Sequence, residues 1–334
     1  MSKHILNLGF GFLGCHSTAD TIRLVQEAED LGFSSAWIAE DYFYGGAFTI
    51  ASACAAHTSR IQLGIGVINP YTRHPVLSAM ESASLDSLSE GRAIIAVGAS
   101  NKRWMETQLG IPYEKPITAT KECAMIIKQL VASGSVDFAG ECFKTGPLSF
   151  DFTPFRPDLP VYLGVKGDRA LYITGQIADG ILLSAGCTLE YVAYARERIA
   201  AGAASVGRSP SEIKIAAYLP TCIDNDSHRA VDIMRPLTKR YLGLHGNAPI
   251  LSCAGFTPEV LAPFREAFLA GRNTDLPVTD EMVRKIVVAG NPEEAGQRIQ
   301  AYVDAGVEMP ICFEIGADVK PLDTLRTLHR YLLN

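Results

Sequence analysis

The chain has 334 residues, of which 48% are hydrophobic and 20% are charged, a composition that excludes disordered, collagen-like and mucin-like proteins. The formal net charge is −6 and no basic block occurs, which argues against nucleic acid and acidic membrane surfaces as partners. No apolar stretch is long enough for a membrane helix. The eight cysteines are scattered without metal-ligand spacing, which indicates reduced thiols, no metal site and a cytoplasmic protein.

Strand-like and helix-like segments alternate through the first hundred residues. The predicted strands are Ile5–Gly9, Ser35–Ala39, Ile61–Val67 and Ala93–Val97. The predicted helices are one from the Ser17 cap to Gly32, one over Ala47–Ala56 and one over Pro75–Ser89. Ser17 and Asp20 resemble a capping box with Asp in place of Glu, and Gly32 is typical of a helix C-terminus.

The same alternation continues to the end of the chain. Further strands are predicted at Val161–Gly164, Gly180–Leu183, Lys214–Ile223 and Met309–Ile315, with a hairpin over Val136–Phe150. Further helices are predicted at Thr118–Ala132, Arg169–Ala178, Leu189–Val206 and Pro292–Ala305. The stretch from Leu237 to Val283 is rich in glycine and proline, and we interpret it as an insertion before the last βα unit.

Eight strands that alternate with helices and share no linker favour one fold class. They predict a (β/α)8 TIM barrel that forms a single domain over residues 1–334. The alternative is an open, doubly wound sheet with a cap made by the insertion. In a barrel, functional residues lie directly after the strands, at the carboxyl end.

The segment Gly9–Gly14 matches the GxGxxG pattern of dinucleotide-binding proteins. However, Gly14 comes before the Ser17 cap, whereas the last glycine of that pattern belongs inside the helix, and Asp30 lies in the first helix instead of ending a second strand. We therefore expect a strand-to-helix loop here, which in a barrel would line the mouth.

Two other positions after strands carry chemistry. Glu40 and Asp41 end the second strand, and one of them could act as a general acid if burial or its neighbour raises its pKa; a helix-capping or barrel-closing role is the alternative. Gly164–Asp168 opens a helix, so its N–H groups and Lys166 could hold a phosphate. The alternative there is a turn with Asp168 as an N-cap.

The phrase GIGVINPYTRHP at Gly64–Pro75 resembles the luciferase-like flavin and deazaflavin oxidoreductases, in particular the methylenetetrahydromethanopterin reductase group. Similar phrases occur at Ala28–Phe33, Leu85–Arg92 and Leu109–Pro116, and the likeness covers nearly the whole chain. The resemblance implies a (β/α)8 barrel with an insertion, a flavin-like ring at its mouth, and a homodimer joined through the helix after the third strand.

The resemblance also implies a set of cofactor contacts. A cis peptide at Gly66–Val67 would form a bulge against the ring, and Lys166 with Gly167 would hold the phosphate. The expected cofactor-binding residues are Gly66, Val67, Asn69, Gly98, Val165, Lys166, Gly167 and Ser184.

This chain departs from the deazaflavin members at the proton-handling positions. It has Glu40-Asp41 where they usually have Asp-His, and Asn101 where they usually have an acid. The cofactor therefore stays open between coenzyme F-420 and FMN. In the first hypothesis, an oxidoreductase moves a hydride between that cofactor and a small organic substrate, with Glu40 or Asp41 handling the proton and Asn101 aiding by hydrogen bonding.

Two further hypotheses remain open. One is a two-component FMN monooxygenase, which would receive reduced flavin from a partner reductase and react it with oxygen. The other is a barrel that binds a flavin or another ligand without catalysis. The changed residues at the proton-handling positions motivate the second of these.

Overall fold

Eight parallel strands close into a barrel in the computed structural model, which describes residues 7–13, 16–272, 275–314 and 321–333. The described strands, of which β5, β6 and β10 lie outside the eight-stranded barrel, are β1 Gly9–Leu13, β2 Ser35–Ala39, β3 Gln62–Ile68, β4 Ala93–Val97, β5 Ser135–Val136, β6 Leu148–Ser149, β7 Val161–Leu163, β8 Gly180–Leu183, β9 Lys214–Ile223, β10 Val288–Gly290 and β11 Met309–Glu314. The barrel order is β1-β2-β3-β4-β7-β8-β9-β11, and β11 pairs with β1. The predicted barrel is confirmed, and the open sheet is wrong because no edge is left at this seam.

The helices surround the barrel on its outer face. They are α1 Thr18–Asp30, α2 Ala47–His57, α3 Pro75–Leu88, α4 Pro116–Ser133, α5 Asp168–Ile177, α6 Leu189–Ala204, α7 Ser227–His245, α8 Pro249–Ser252, α9 Pro258–Leu269, α10 Asp280–Ile286, α11 Pro292–Asp304 and α12 Pro321–Leu328. Ser17 caps α1 as predicted, because its side chain accepts from the Asp20 N–H at 3.1 Å. Short π-helical segments cover Arg103–Gln108 and His329–Leu333, and a 3-10 turn covers Pro210–Glu212.

Aromatic side chains fill the inside of the barrel. Trp37 is fully buried there, with its ring centroid 6.2 Å from those of Tyr162 and Tyr218. A Cβ on Gly64 would lie 2.2 Å from the Trp37 indole, so β3 approaches the indole only because it has glycine at that point. The second, larger core lies between the strands and the helices.

The first strand differs from its prediction over Ile5–Gly9. Strand β1 begins at Gly9, so Gly9 and Gly11 lie inside the strand and not in a mouth loop. A Cβ on Gly11 would lie 2.4 Å from the Phe313 ring, which explains this glycine by packing. Gly14, like residues 5 and 6 of the predicted strand, lies outside the described residues.

The late part of the chain also corrects the predictions. The sequence pattern missed β10, which adds to the sheet by pairing with the end of β9. The described residues of 237–283 contain the second half of α7, all of α8 and α9, and the start of α10. The alternative that Asp168 is an N-cap is wrong: Gly167 takes that position with a φ of 99°, and Asp168 is the first helical residue.

Three further observations concern the described part of the chain. None of its helices is long and apolar enough to cross a membrane. Its cysteines form no disulfide. The antiparallel pairing of β5 with β6 confirms the hairpin predicted between α4 and β7.

The contact between α5 and α6 depends on glycine. A Cβ on Gly202 would lie 1.9 Å from the Tyr172 carbonyl oxygen, so Gly202→Ala must push the two helices apart. We expect a net decrease of about 1–3 kcal/mol in the free energy of unfolding, because the clash outweighs the ~1 kcal/mol gain in helix propensity. Urea unfolding measures it. Gly146→Ala is the control, because a Cβ there would meet no atom of the described residues within 4 Å. An equal effect in both variants would contradict the prediction.

Candidate active site

A cavity of about 580 Å³ opens at the carboxyl end of the barrel strands. Its walls come from the segments that follow β3, β4, β7 and β8, and from α4, α7 and α9. The predicted site residues that line it are Gly66, Val67, Asn101, Val165, Lys166 and Ser184. The predicted site residues that do not line it are Glu40, Asp41, Asn69, Gly98 and Gly167.

The expected bulge at the end of β3 is present. The Gly66–Val67 peptide is cis, and the register between β3 and β4 shifts at this point. The Tyr218 hydroxyl donates to the Gly66 carbonyl oxygen at 3.1 Å. A Cβ on Gly98 would lie 2.8 Å from Val67, so Gly98 supports the bulge from behind instead of contacting the cavity.

Asn69 is tied into the protein. It is buried, its side-chain oxygen accepts from the Tyr71 N–H at 2.7 Å, and its amide nitrogen lies 3.3 Å from the Met105 sulfur. These contacts join the end of β3 to the segment after β4. Contact of Asn69 or Gly98 with a cofactor therefore stays a prediction, and both residues shape the wall from behind.

Lys166 and His245 form a pair at one side of the cavity. The Lys166 ammonium lies 3.2 Å from His245 Nδ1, while Nε2 lies 2.9 Å from the Ala185 carbonyl oxygen. A carbonyl only accepts, so Nε2 carries the proton and Nδ1 accepts from Lys166. Burial, with the Lys166 charge beside it, lowers the pKa of His245 to about 3, so the ring is neutral at neutral pH.

Lys166 itself is open to the cavity. Desolvation by the surrounding protein, with a smaller effect from Arg265, lowers its pKa to about 8. It is therefore mostly cationic at pH 7, with a neutral ring as its partner. Such an ammonium gains from an anion that enters the cavity. The next residue, Gly167, is the N-cap of α5, so the N-terminus of α5 lies beside the same position.

Glu40 and Asp41 do not line the cavity, but Asp41 lies within electrostatic range of Arg240, which does line it. Burial raises the pKa of Glu40, against the opposing charge of Arg73, whose Nη1 lies 3.5 Å from Oε1. Glu40 Oε2 is buried and has no hydrogen-bond partner in the part of the chain that the structure describes. Burial also raises the pKa of Asp41, and Arg240 opposes that shift. Raised pKa values are what a carboxyl group needs to deliver a proton near neutral pH.

Polar groups in the chain after β4 also line the cavity. Asn101 lines it, and its side-chain oxygen accepts from the Trp104 N–H at 3.0 Å, which leaves its amide nitrogen available to a ligand. Ser100 and Thr120 also line it, and their hydroxyl oxygens are buried with no hydrogen-bond partner among the described residues. Buried unpaired hydroxyls are costly, so a bound ligand would satisfy them.

Sequence reasoning missed the contribution of α7. Arg240, Tyr241, Leu244 and His245 all line the cavity from this helix. Their spacing places them on one helical face, and that periodicity could have grouped them. It could not have shown that the face turns toward the barrel mouth.

The fold and the cavity define a class. A closed parallel barrel with a cavity at the carboxyl end of its strands, lined by a cation and with the raised-pKa carboxyl group of Asp41 in range of the lining residue Arg240, is a TIM-barrel enzyme. The family model described as luciferase-like monooxygenase matches residues 10–309. The chain belongs to this family and is an oxidoreductase.

Individual relatives agree with this assignment. The 5,10-methylenetetrahydromethanopterin reductase of Methanopyrus kandleri is 32% identical over 318 residues, which covers 89% of this chain and 88% of the relative. The coenzyme F-420-dependent glucose-6-phosphate dehydrogenase of Kineococcus radiotolerans is 27% identical and covers 84% of this chain and 82% of its own. The solved structure of the coenzyme F-420-dependent tetrahydromethanopterin reductase from Methanopyrus kandleri superposes with a TM-score of 0.85, at 28% identity, over 98% of both chains.

The neutral His245 makes stability depend on pH. Its pKa in the folded protein is about 3 against an ordinary 6.5, so stability is fully present above pH 6.5 and falls as the pH falls toward 3. Between pH 7.5 and pH 5 we expect this residue to contribute a loss of about 1–2 kcal/mol in the free energy of unfolding. Urea unfolding of His245→Gln at both pH values should show a shallower loss than the wild type.

The matched control for this measurement is His228→Gln, which changes an exposed histidine of the same helix. It should leave the pH dependence of the wild type in place. If His245→Gln and His228→Gln both reproduce the wild-type dependence, His245 is not held neutral.

Proposed function

We propose that this protein is a coenzyme F-420-dependent oxidoreductase that transfers a hydride between the deazaflavin and a small organic acceptor. The observation that carries the proposal is the placement of the Lys166 ammonium and the Gly66–Val67 bulge on the walls of one cavity. Relatives with two different named substrates share the F-420 dependence in their names. That common element supports the cofactor more strongly than any one substrate.

The residues present fit such a cofactor. Lys166 is a cation without a carboxylate partner among the described residues, and it suits a phosphate. The unpaired Ser100 and Thr120 hydroxyls suit the polar edge of a ring or the hydroxyls of a chain attached to it. Val67, exposed to the cavity by the glycines behind it, gives a flat apolar contact for one ring face.

Each residue of the site then has a proposed role. The bound deazaflavin would supply or accept the hydride. Lys166 and the N-terminus of α5 would hold its phosphate, and Val67 would fix the position of its ring. Asp41, which lies near Tyr218, Tyr241 and Arg240, would hold the proton that accompanies the hydride, with Glu40 as the other candidate. Asn101 would orient the acceptor through its amide nitrogen.

The proposal also covers the substrate that accepts the hydride and the oligomeric state of the protein. A one-carbon unit on a pterin is the first candidate acceptor, because the reductase relative is 32% identical; Glu40-Asp41 and Asn101 make a different acceptor the main alternative.

We also propose a homodimer through α3, which exposes Leu77, Met80 and Leu88. A flavin reductase partner would be needed only for an FMN-dependent monooxygenase.

Titration with each cofactor tests the first part of the proposal. We expect coenzyme F-420 to bind more tightly than FMN, as followed by the absorbance of the bound ring. The Kd for F-420 should rise about 10- to 100-fold in Lys166→Met, because a charge-assisted contact to phosphate is lost. Lys166→Arg, which keeps the charge, should recover part of the affinity. Tighter binding of FMN, with product formation that requires oxygen, would instead establish the monooxygenase.

Turnover measurements test the proton-handling carboxyl groups. We expect Asp41→Asn or Glu40→Gln to lower kcat about 100-fold or more, because the general acid is lost, while the Kd for F-420 stays within about twofold of the wild type. The assay is anaerobic reduction of methylenetetrahydromethanopterin with reduced F-420. Glu81→Gln, which alters a second carboxylate beside Arg73, is the control. Unchanged kcat in both site variants would remove the carboxyl groups from the mechanism, and tight binding without turnover on any acceptor would favour the non-catalytic barrel.

A further inference from the structure

A second concave surface adjoins the cavity. This groove, of about 750 Å³, lies between α7, α9 and the segment before α10. We call it the cationic groove, because five basic side chains line it. They are Arg103, Arg235, Lys239, Arg240 and Arg272. Its apolar surface comes from Pro236, Phe264, Phe268, Leu276, Pro277 and Val278.

The positive charge of the groove is only partly balanced. Arg235 is paired with Asp232 and Asp280. Arg103, Arg240 and Arg272 form no salt bridge with a described carboxylate, and no described carboxylate lines the groove. Like charges gathered in one concave surface repel one another, and a low-dielectric wall strengthens their field. An anion in the groove would relieve that repulsion.

The groove is continuous with the cavity. Arg103, Arg240 and Phe268 line both of them. Arg240 is also the cation whose charge acts on Asp41. A ligand whose reacting end lies near Asp41 therefore reaches the groove directly, whereas the Lys166 and His245 pair lines the cavity alone.

We propose that the cationic groove binds an acidic tail of the substrate, with two or more carboxylate or phosphate groups on an organic chain, while the reacting end lies beside Asp41. The assignment of the reacting end rests on the proposed function; the anion site itself does not. The separated arginines suit several acidic groups better than a single ion. Phe264 and Phe268 suit the methylene groups between them.

A direct binding experiment tests the anion site without turnover. The probe is tricarballylate, three carboxylates on a short carbon chain, titrated calorimetrically into the cofactor-free protein at low ionic strength. We expect the Kd to rise at least 10-fold in the double variant Arg240→Gln/Arg272→Gln, and the wild-type affinity to fall as salt is added.

The control is Arg229→Gln, which removes the same kind of charge from the same helix as Arg240. Its position is about 16 Å farther along the axis, at the opposite end of α7. It should stay within twofold of the wild type. Equal affinity in the wild type and the double variant, or an equal loss in the control, would overturn the anion site.

Kinetic measurements with two substrates, together with the Kd for F-420, test whether the acidic tail belongs to the substrate. In Arg272→Gln, the KM for methylenetetrahydromethanopterin, whose tail is acidic, should rise at least 10-fold while kcat stays within about twofold. The KM for a tetrahydropterin without the acidic tail should not change. The Kd for F-420 should also be unchanged in this variant.

These arms separate the two proposals. An F-420 affinity that falls as far as the tricarballylate affinity would place the cofactor's own acidic groups in the groove and overturn the assignment to the substrate. If F-420 fails to bind the wild type, the proposed function is wrong, and the tricarballylate comparison still decides whether the groove is an anion site.

Discussion

The indole of Trp37 inside the barrel is the constraint on which the active site depends. Strand β3 can pass the indole only because Gly64 has no Cβ, and two residues later Gly66 passes Leu182 and Tyr218 in the same way. Tyr218 then donates to the Gly66 carbonyl oxygen. The filling of the barrel interior therefore sets the path of the strand that forms the Gly66–Val67 bulge, and the bulge is one wall of the cavity.

Charge is arranged around this wall in two separate groups. The Lys166 ammonium donates to the neutral ring of His245. Among the described residues no carboxylate pairs with this ammonium, so its charge remains available to an anionic ligand. Glu40 and Asp41 form the second group, in which burial raises both pKa values and one arginine opposes each shift. The site thus combines an ammonium that can hold an anion with carboxyl groups, outside the cavity lining, whose pKa values are raised above their ordinary values.

The segment after β9 contributes residues to both the cavity and the adjoining cationic groove. Helix α7 places Tyr241 and His245 in the cavity, and with α9 it forms the cationic groove. Arg240 lines both surfaces and acts on Asp41. Residues 237–283 therefore contribute to the walls of both the cavity and the groove.

The alternation of apolar strands with capped helices determined the barrel, because burial on both faces of a parallel strand leaves a continuous apolar run that can be recognised locally. The positions after the strands, such as Lys166 and Asn101, followed from that alternation, since parallel strands end at one edge. The register of β1 did not, because Gly9 and Gly11 are explained only by Ser35 and Phe313 on neighbouring strands. Nor did the neutral state of His245 or the groove around Arg240 and Arg272, since burial and charge balance arise from residues distant in sequence that only the folded chain brings together.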